Sequence, residues 1–181
     1  YVDDKPYGGG AGMVLQAQQL MDATRYVKSK LENYKCIYIS KKGKKVNQEI
    51  IEKTAKNDNL IIIAGRYEGV DQRFIDLEVD EEWSIGDYIL SGGEVAACVI
   101  IDAVARMIPG VLGHEDSNKE ESFTNGYLEY PHYTRPEKVE GKNVPKVLLS
   151  GNHEEIRVWR EKQAMLVTNN KRSDLIKKKL S

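Results

Sequence analysis

Lys35-Cys36-Ile37-Tyr38-Ile39-Ser40 and Leu60-Ile61-Ile62-Ile63-Ala64 are the stretches on which the fold turns. The first is a short β-rich run closed by a Lys/Gly turn. The second is apolar without a break. Between them, residues 47–56 carry a helical pattern, so the order is strand, helix, strand. A strand that is continuously apolar, rather than alternating, is buried on both faces. Such strands separated by helices build a parallel sheet with covered faces, so an α/β core is expected. Ligands of open parallel sheets gather beyond the carboxyl ends of the strands.

Working outward, unusual residues follow those strand ends. Ser40 and its turn come first, then Gly65-Arg66-Tyr67-Glu68-Gly69. A third segment, Glu82-Trp83-Ser84-Ile85-Gly86-Asp87-Tyr88-Ile89-Leu90-Ser91-Gly92-Gly93-Glu94, leads into an apolar helix expected over residues 95–107. Three loops are therefore placed to converge on one pocket. Upstream, the glycine loop Gly8-Gly9-Gly10-Ala11-Gly12 precedes a helix expected over residues 13–31, with Val14, Leu20, Ala23, Val27 and Leu31 as its apolar face. Downstream, a polar stretch opens at Gly113 and reads as a linker or lid. After a Pro-punctuated segment, Asn152 with Glu155 reads as a capping-box start to a helix that turns Ile156, Trp159 and Gln163 inward.

The 181 residues, 40% of them hydrophobic, suffice for one sizeable core and a small appendage. No apolar run approaches the roughly 20 residues of a membrane span, and the start has no signal-peptide character. A soluble, intracellular chain is expected. Cys36 and Cys98 sit in apolar stretches without a partner at redox or metal-ligand spacing, so both are expected to be buried thiols. The net charge of −1 hides an asymmetry: from Asn152 onward there are 8 basic and 4 acidic residues, against 19 and 24 before it. A basic tail on an acidic body suits a nucleic-acid backbone, although charge alone favours a solvated helix face.

The glycine loop is not a dinucleotide fingerprint: no strand precedes it, and Met13 stands where a third glycine belongs. It is either a close approach to a flat ligand or a tight connection needing positive φ. From Ser84 to Glu94, Gly86, Gly92 and Gly93 leave backbone groups free to meet an adenine edge, with apolar Ile85, Ile89 and Leu90 among them. The segment from Arg66 to Glu94 is strongly acidic, a field that disfavours phosphate-rich cofactors and favours a cationic ligand or a divalent metal. Arg106, four residues after Asp102, has by spacing alone the look of a surface pair. Glu120 and Glu121 are either solvated carboxylates or a general base delivered on a loop. His114, His132 and His153 are too dispersed for a metal site.

Read together, Tyr7 to Met13, Gly65 to Asp71, Glu82 to Tyr88 and Leu90 to Glu94 resemble the bacterial tRNA (guanine-N1)-methyltransferases of the TrmD family. The likeness continues through Ile108 to Glu115, Pro131 to Pro136 and Val147 to His153, and covers nearly the whole chain. It implies a SPOUT architecture: a parallel α/β core with a deep trefoil knot over residues 1–112, a flexible linker over 113–126, and a helical tRNA-binding domain over 127–181. The chain begins inside the family's pattern, without its opening strand and helix. The resemblance further implies an S-adenosylmethionine site on Tyr38, Ile39, Ser40, Gly65, Tyr67, Glu68, Ile85, Gly86, Asp87, Tyr88, Ile89, Leu90, Gly92 and Gly93. A cytoplasmic homodimer, a tRNA partner and magnesium-dependent methyl transfer to the guanosine 3′ of the anticodon are implied with it.

Chemistry explains the residue types the resemblance assigns. Guanine N1 is protonated at neutral pH and must lose its proton to attack a sulfonium methyl, so a base is required. Positive charge near O6 stabilises the anion that forms, and the resemblance gives that role to Arg106. The family's base is an aspartate; the aligned residue here is Glu121, one methylene longer, with Asp116 and Glu120 as alternatives. The alternative from another class is a non-catalytic tRNA-binding protein that keeps the scaffold after losing its base and its first strand.

Overall fold

The computed structural model describes residues 1–111, 122–123 and 126–179, of which 177–179 by their backbone only. The chain divides into two compact units, Tyr1–Gly113 and His114–Ser181. In the first, β1 (Asp3–Asp4) pairs antiparallel with β2 (Val14–Leu15), and α1 (Ala17–Lys28) follows. Then come β3 (Tyr34–Lys45), α2 (Gln48–Thr54), β4 (Asn59–Ala64), α3 (Gln72–Glu78), β5 (Glu81–Ser84) and α4 (Glu94–Ala105).

The three longer strands form a parallel sheet in the order β4-β3-β5. One face carries the core: Ile37, Ile51, Trp83 and Ile100 are buried together, with Ile39, Leu60, Ile62, Val104 and Met107 packed against them. Strand alternation turns Cys36 and Tyr38 to the opposite face, and they are buried too, which explains why the apolar runs do not alternate. The α/β expectation from those runs therefore matches the architecture of this unit.

Three local expectations need correction. The strand expected to close at Ser40 continues to Lys45: a bulge between Ile39 and Lys44 lets the chain rejoin β5, with Lys44 opposite Trp83 and Lys45 opposite Ser84. Gly43 makes this possible, because a Cβ there would lie 2.4 Å from the Trp83 amide nitrogen. The helix expected from residue 13 starts at Ala17. Its would-be first turn is instead β2, whose Leu15 amide donates to the Gly69 carbonyl and whose Leu15 carbonyl accepts from Asp71. The inward face of α1 is accordingly Ala17, Leu20 and Thr24, with Ala23 and Val27 exposed. Finally, Cys98 is exposed: α4 buries Ala96 and Ile100, and Cys98 lies with Val95, Val99 and Ile101 on its open side. Cys36 is enclosed as expected, and burial pushes its thiol up to about 11.

α1 and α3 pack together, and an ion-pair network ties them. Glu78, at the C-terminal end of α3, accepts from Arg25 Nε at 2.6 Å and Lys28 Nζ at 3.0 Å. Burial alone would raise its pKa; the hydrogen bonds from Lys28 and Arg25 outweigh that and hold the carboxyl below its ordinary value.

In the second unit a short hairpin of β6 (Lys138–Val139) and β7 (Lys142–Asn143) precedes α5 (Lys146–Leu149), α6 (His153–Lys171) and α7 (Ser173–Lys179). Asn152 caps α6, its side-chain oxygen accepting from the Glu154 and Glu155 amides. The Asn152 amide itself donates to Ser150 Oγ, so the reciprocal half of a capping box goes to serine instead of Glu155. Ile156, Trp159 and Gln163 lie on the half-buried side of α6, as its periodicity required. Fully enclosed Thr168 receives the Leu128 amide and donates to the Ala164 carbonyl. Most of the 113–126 segment expected as a linker lies outside the described residues.

Candidate functional site

The loops beyond the carboxyl ends of β3, β4 and β5 line one open cleft of about 180 Å³. Each loop is fixed by its neighbours. The Gly93 amide donates to the Gly65 carbonyl at 2.8 Å, joining the start of α4 to the loop after β4. A Cβ on Gly93 would come within 2.9 Å of Ala64 Cα and of the Gly65 nitrogen, so glycine sets how closely helix and strand end approach. Arg66 pairs with Glu94 across the same junction, and the hydrogen bond between them raises the arginine's pKa and lowers the carboxylate's. In the third loop Ser84 Oγ donates to the Gly86 carbonyl and accepts its amide, forming a compact turn.

The cleft gathers Tyr38, Ile39 and Ser40, then Gly65, Tyr67 and Glu68, and then Ile85, Gly86, Tyr88, Ile89, Leu90, Gly92 and Gly93. Asp87 is not part of the lining; its carboxylate turns away to pair with Lys45. Tyr67 takes a left-handed backbone, φ 57°, while its ring stays 59% exposed. That conformation is costly for a bulky residue and is met mainly at functional loops. Burial, helped by the nearby Glu82 carboxylate, pushes the Tyr38 phenol above its ordinary range, while a bond from the Val70 backbone opposes the shift.

Arg106 does not line the cleft. It caps the C-terminal end of α4, whereas Gly93 precedes its first residue, and the 12 residues between span about 18 Å at 1.5 Å per residue. Glu121, with Asp116 and Glu120, lies outside the described residues. In the glycine loop Gly8, Gly9, Gly10 and Gly12 all have positive φ, and nothing stands near the first three, a backbone that serves a tight connection and a close approach to a ligand alike.

The acidic field expected around the cleft is largely neutralised by cations, most of them distant in sequence. Glu78 meets Arg25 and Lys28, Glu81 meets Lys35, Asp87 meets Lys45 and Asp71 meets Arg73. What remains in the cleft is Glu68 and Glu82, neither ion-paired among the described residues. Glu82 Oε2 is buried and has no hydrogen-bond partner among them. A buried, unsatisfied carboxylate oxygen is expensive unless a ligand completes it, so a cationic or hydrogen-donating ligand fits here. The sequence pattern marks Glu82 only as part of an acidic edge. The signal it holds is register: Glu82 stands opposite Tyr38 across the sheet. Lys41, Lys42, Gln72 and Ile75 also line the cleft, and no motif marks them. Among the described residues there is no group of three His, Cys, Asp or Glu side chains able to hold a metal ion. No described helix is long and apolar enough to cross a membrane.

A family model described as tRNA (Guanine-1)-methyltransferase TrmD matches residues 1–178. A protein of Marinomonas sp. (strain MWYL1) named tRNA (guanine-N(1)-)-methyltransferase is 55% identical over 97% of this chain and 70% of its own length. Proteins with the same name from Buchnera aphidicola subsp. Schizaphis graminum and Coxiella burnetii (strain Dugway 5J108-111) are 54% and 55% identical. They are matched over 99% and 98% of this chain and 68% and 73% of their own lengths. A relative from Pseudoalteromonas atlantica is spanned over 66% of its length.

Proposed function

Because this chain belongs to the tRNA (guanine-1)-methyltransferase TrmD family, we propose that it transfers a methyl group from S-adenosylmethionine to N1 of the guanosine immediately 3′ of the anticodon in tRNA. The observation that carries the reading is the single cleft made by three strand-end loops, with one buried carboxylate oxygen left for a ligand. The methyl donor carries a sulfonium cation and an ammonium, which suit Glu82 and Glu68. Its adenine would lie against the free backbone groups of the Ile85–Leu90 loop, and Gly65 and Gly93 leave room for close approach. When bound, the donor supplies an electrophilic methyl. The chain's own residues would do the rest: Glu121 accepts the N1 proton, and Arg106 offsets the charge growing on O6. Magnesium dependence of the transfer is part of the same proposal.

Within one chain Arg106 sits a helix length from the cleft. That separation, and the exposed apolar residues Val95, Val99 and Ile101 on α4, support a homodimer in which a second copy covers this face. The knotted topology, the tRNA-binding role of the second unit and a cytoplasmic location are part of the same proposal.

Methyl transfer from radiolabelled donor to an unmodified tRNA transcript tests the reading. The expected product carries the label on the guanosine 3′ of the anticodon, and replacing that guanosine abolishes it. A folded chain that binds the transcript without transferring methyl would instead make it a non-catalytic tRNA binder. Within the active enzyme, Glu121→Gln is expected to lower turnover by at least the ~100-fold typical of a lost general base. Full activity of Glu121→Gln beside an inactive Asp116→Asn or Glu120→Gln would transfer the role.

A further inference from the structure

Four lysines fall within five residues at the end of β3, in Ser40-Lys41-Lys42-Gly43-Lys44-Lys45, and their placement is more specific than their number. The bulge that carries Lys41 and Lys42 is a built turn. The Lys42 amide donates to Ser40 Oγ at 3.1 Å, Gly43 lies flat on the Glu82–Trp83 backbone, and the strand resumes its pairing at Lys44. A loose lysine-rich loop would have none of these restraints. Both side chains are exposed, both residues line the cleft, and neither has an ion pair or hydrogen bond to its ammonium among the described residues. Lys45, four residues beyond Lys41, is by contrast occupied with Asp87.

Two free ammonium groups beside a site proposed for a cationic methyl donor work against that donor. Their exposed, unpaired charge suits an anion, and RNA supplies a row of them. We propose that Lys41 and Lys42 form a phosphate-binding lip that holds the backbone of the tRNA anticodon loop over the cleft. The inference rests on the reading of tRNA as substrate. It adds the surface by which the catalytic unit itself grips RNA. Lysine suits this role, since a point charge on a flexible stem contacts phosphates without demanding one geometry.

The test uses the full chain carrying Lys41→Gln and Lys42→Gln together, with Lys53→Gln and Lys56→Gln, at and just beyond the end of α2, as a charge-matched control. Binding of an unmodified tRNA transcript is measured against salt concentration, and binding of S-adenosylmethionine by calorimetry. For two lost single-strand phosphate contacts, the slope of log K against log salt should become shallower by about 1.4. Donor affinity should stay the same or tighten, the control should keep the wild-type slope, and Lys41→Arg with Lys42→Arg should restore it. An unchanged slope in the glutamine variant overturns the proposal, as does an equal loss in the control. Weaker donor binding with normal RNA binding also overturns it, and would assign the lysines to the donor's carboxylate. Failure of the wild-type chain to bind tRNA at all would remove the functional reading along with it.

Discussion

Trp83 is fully enclosed and is the largest side chain so buried among the described residues of its unit. Its indole N–H donates to Glu81 Oε2 at 2.7 Å, and the Lys35 ammonium that pairs with Glu81 lies over its ring. Trp83→Ala removes that packing, so a loss of about 3–5 kcal/mol is expected in urea unfolding. Glu78 makes a different demand. Its pKa is lower folded than unfolded, so its contribution to stability is fully present above the unfolded carboxylate range and is lost as pH falls through the folded value. Glu78→Gln should therefore destabilise the chain at pH 7 by roughly 3 kcal/mol, because Lys28 is left nearly buried without an anion. The penalty should shrink as pH drops below about 4; a penalty constant from pH 7 to pH 3 would show that the network is not what the mutation removes. Neither role was legible in sequence: Glu81, Glu82 and Ser84 flank Trp83, and the two cations of Glu78 lie about 50 residues upstream, brought to it only by the packing of α1 on α3.

At the level of elements, two glycines decide where strands end. Gly93→Ala would press α4 away from Ala64 and Gly65, costing roughly 1–3 kcal/mol by overpacking. It should also weaken S-adenosylmethionine binding in calorimetry, because the same contact closes the cleft. Gly43→Ala meets backbone at 2.4 Å and should flatten the bulge, reducing tRNA affinity while α4 and its loop stay in place. The two variants thus separate donor binding from RNA binding. β4 was legible in full, because an unbroken apolar run admits little else. The end of β3 was not: Lys-Lys-Gly-Lys-Lys has turn chemistry, and its pairing depends on a bulge specified by β5, 40 residues later. The start of α1 was hidden in a similar way, because the loop after β4 captures Val14 and Leu15 as a strand. Site loops were located by the rule that parallel sheets expose their strand ends to ligands. Asp87 fell out because a lysine on the extended β3 was there to take it.

Across the whole molecule, the basic tail expected as an RNA footprint is partly spent at home. Arg157 is held between Glu154 and Glu161, and Arg172 is paired with Asp174, so these helix faces are internally balanced. The open side of α4 is not balanced in this way. If a second copy covers it, sedimentation should give twice the 20.5 kDa of one chain, and Val99→Glu should halve that mass. Cys98 should then react quickly with a thiol reagent in the Val99→Glu chain and slowly in the unaltered one; equal rates would place the dimer contact elsewhere.

The order of strands in the sheet also has a consequence in time. β3 is the middle strand, yet both of its neighbours follow it in the chain. On the ribosome, its apolar stretch emerges first and waits with both edges bare. At 5–20 residues per second, the ~40 residues separating the end of β3 from that of β5 take roughly 2–8 s to make. For that interval the future centre of the sheet is an open template for any passing strand, so folding of this unit should depend on chaperone protection during translation.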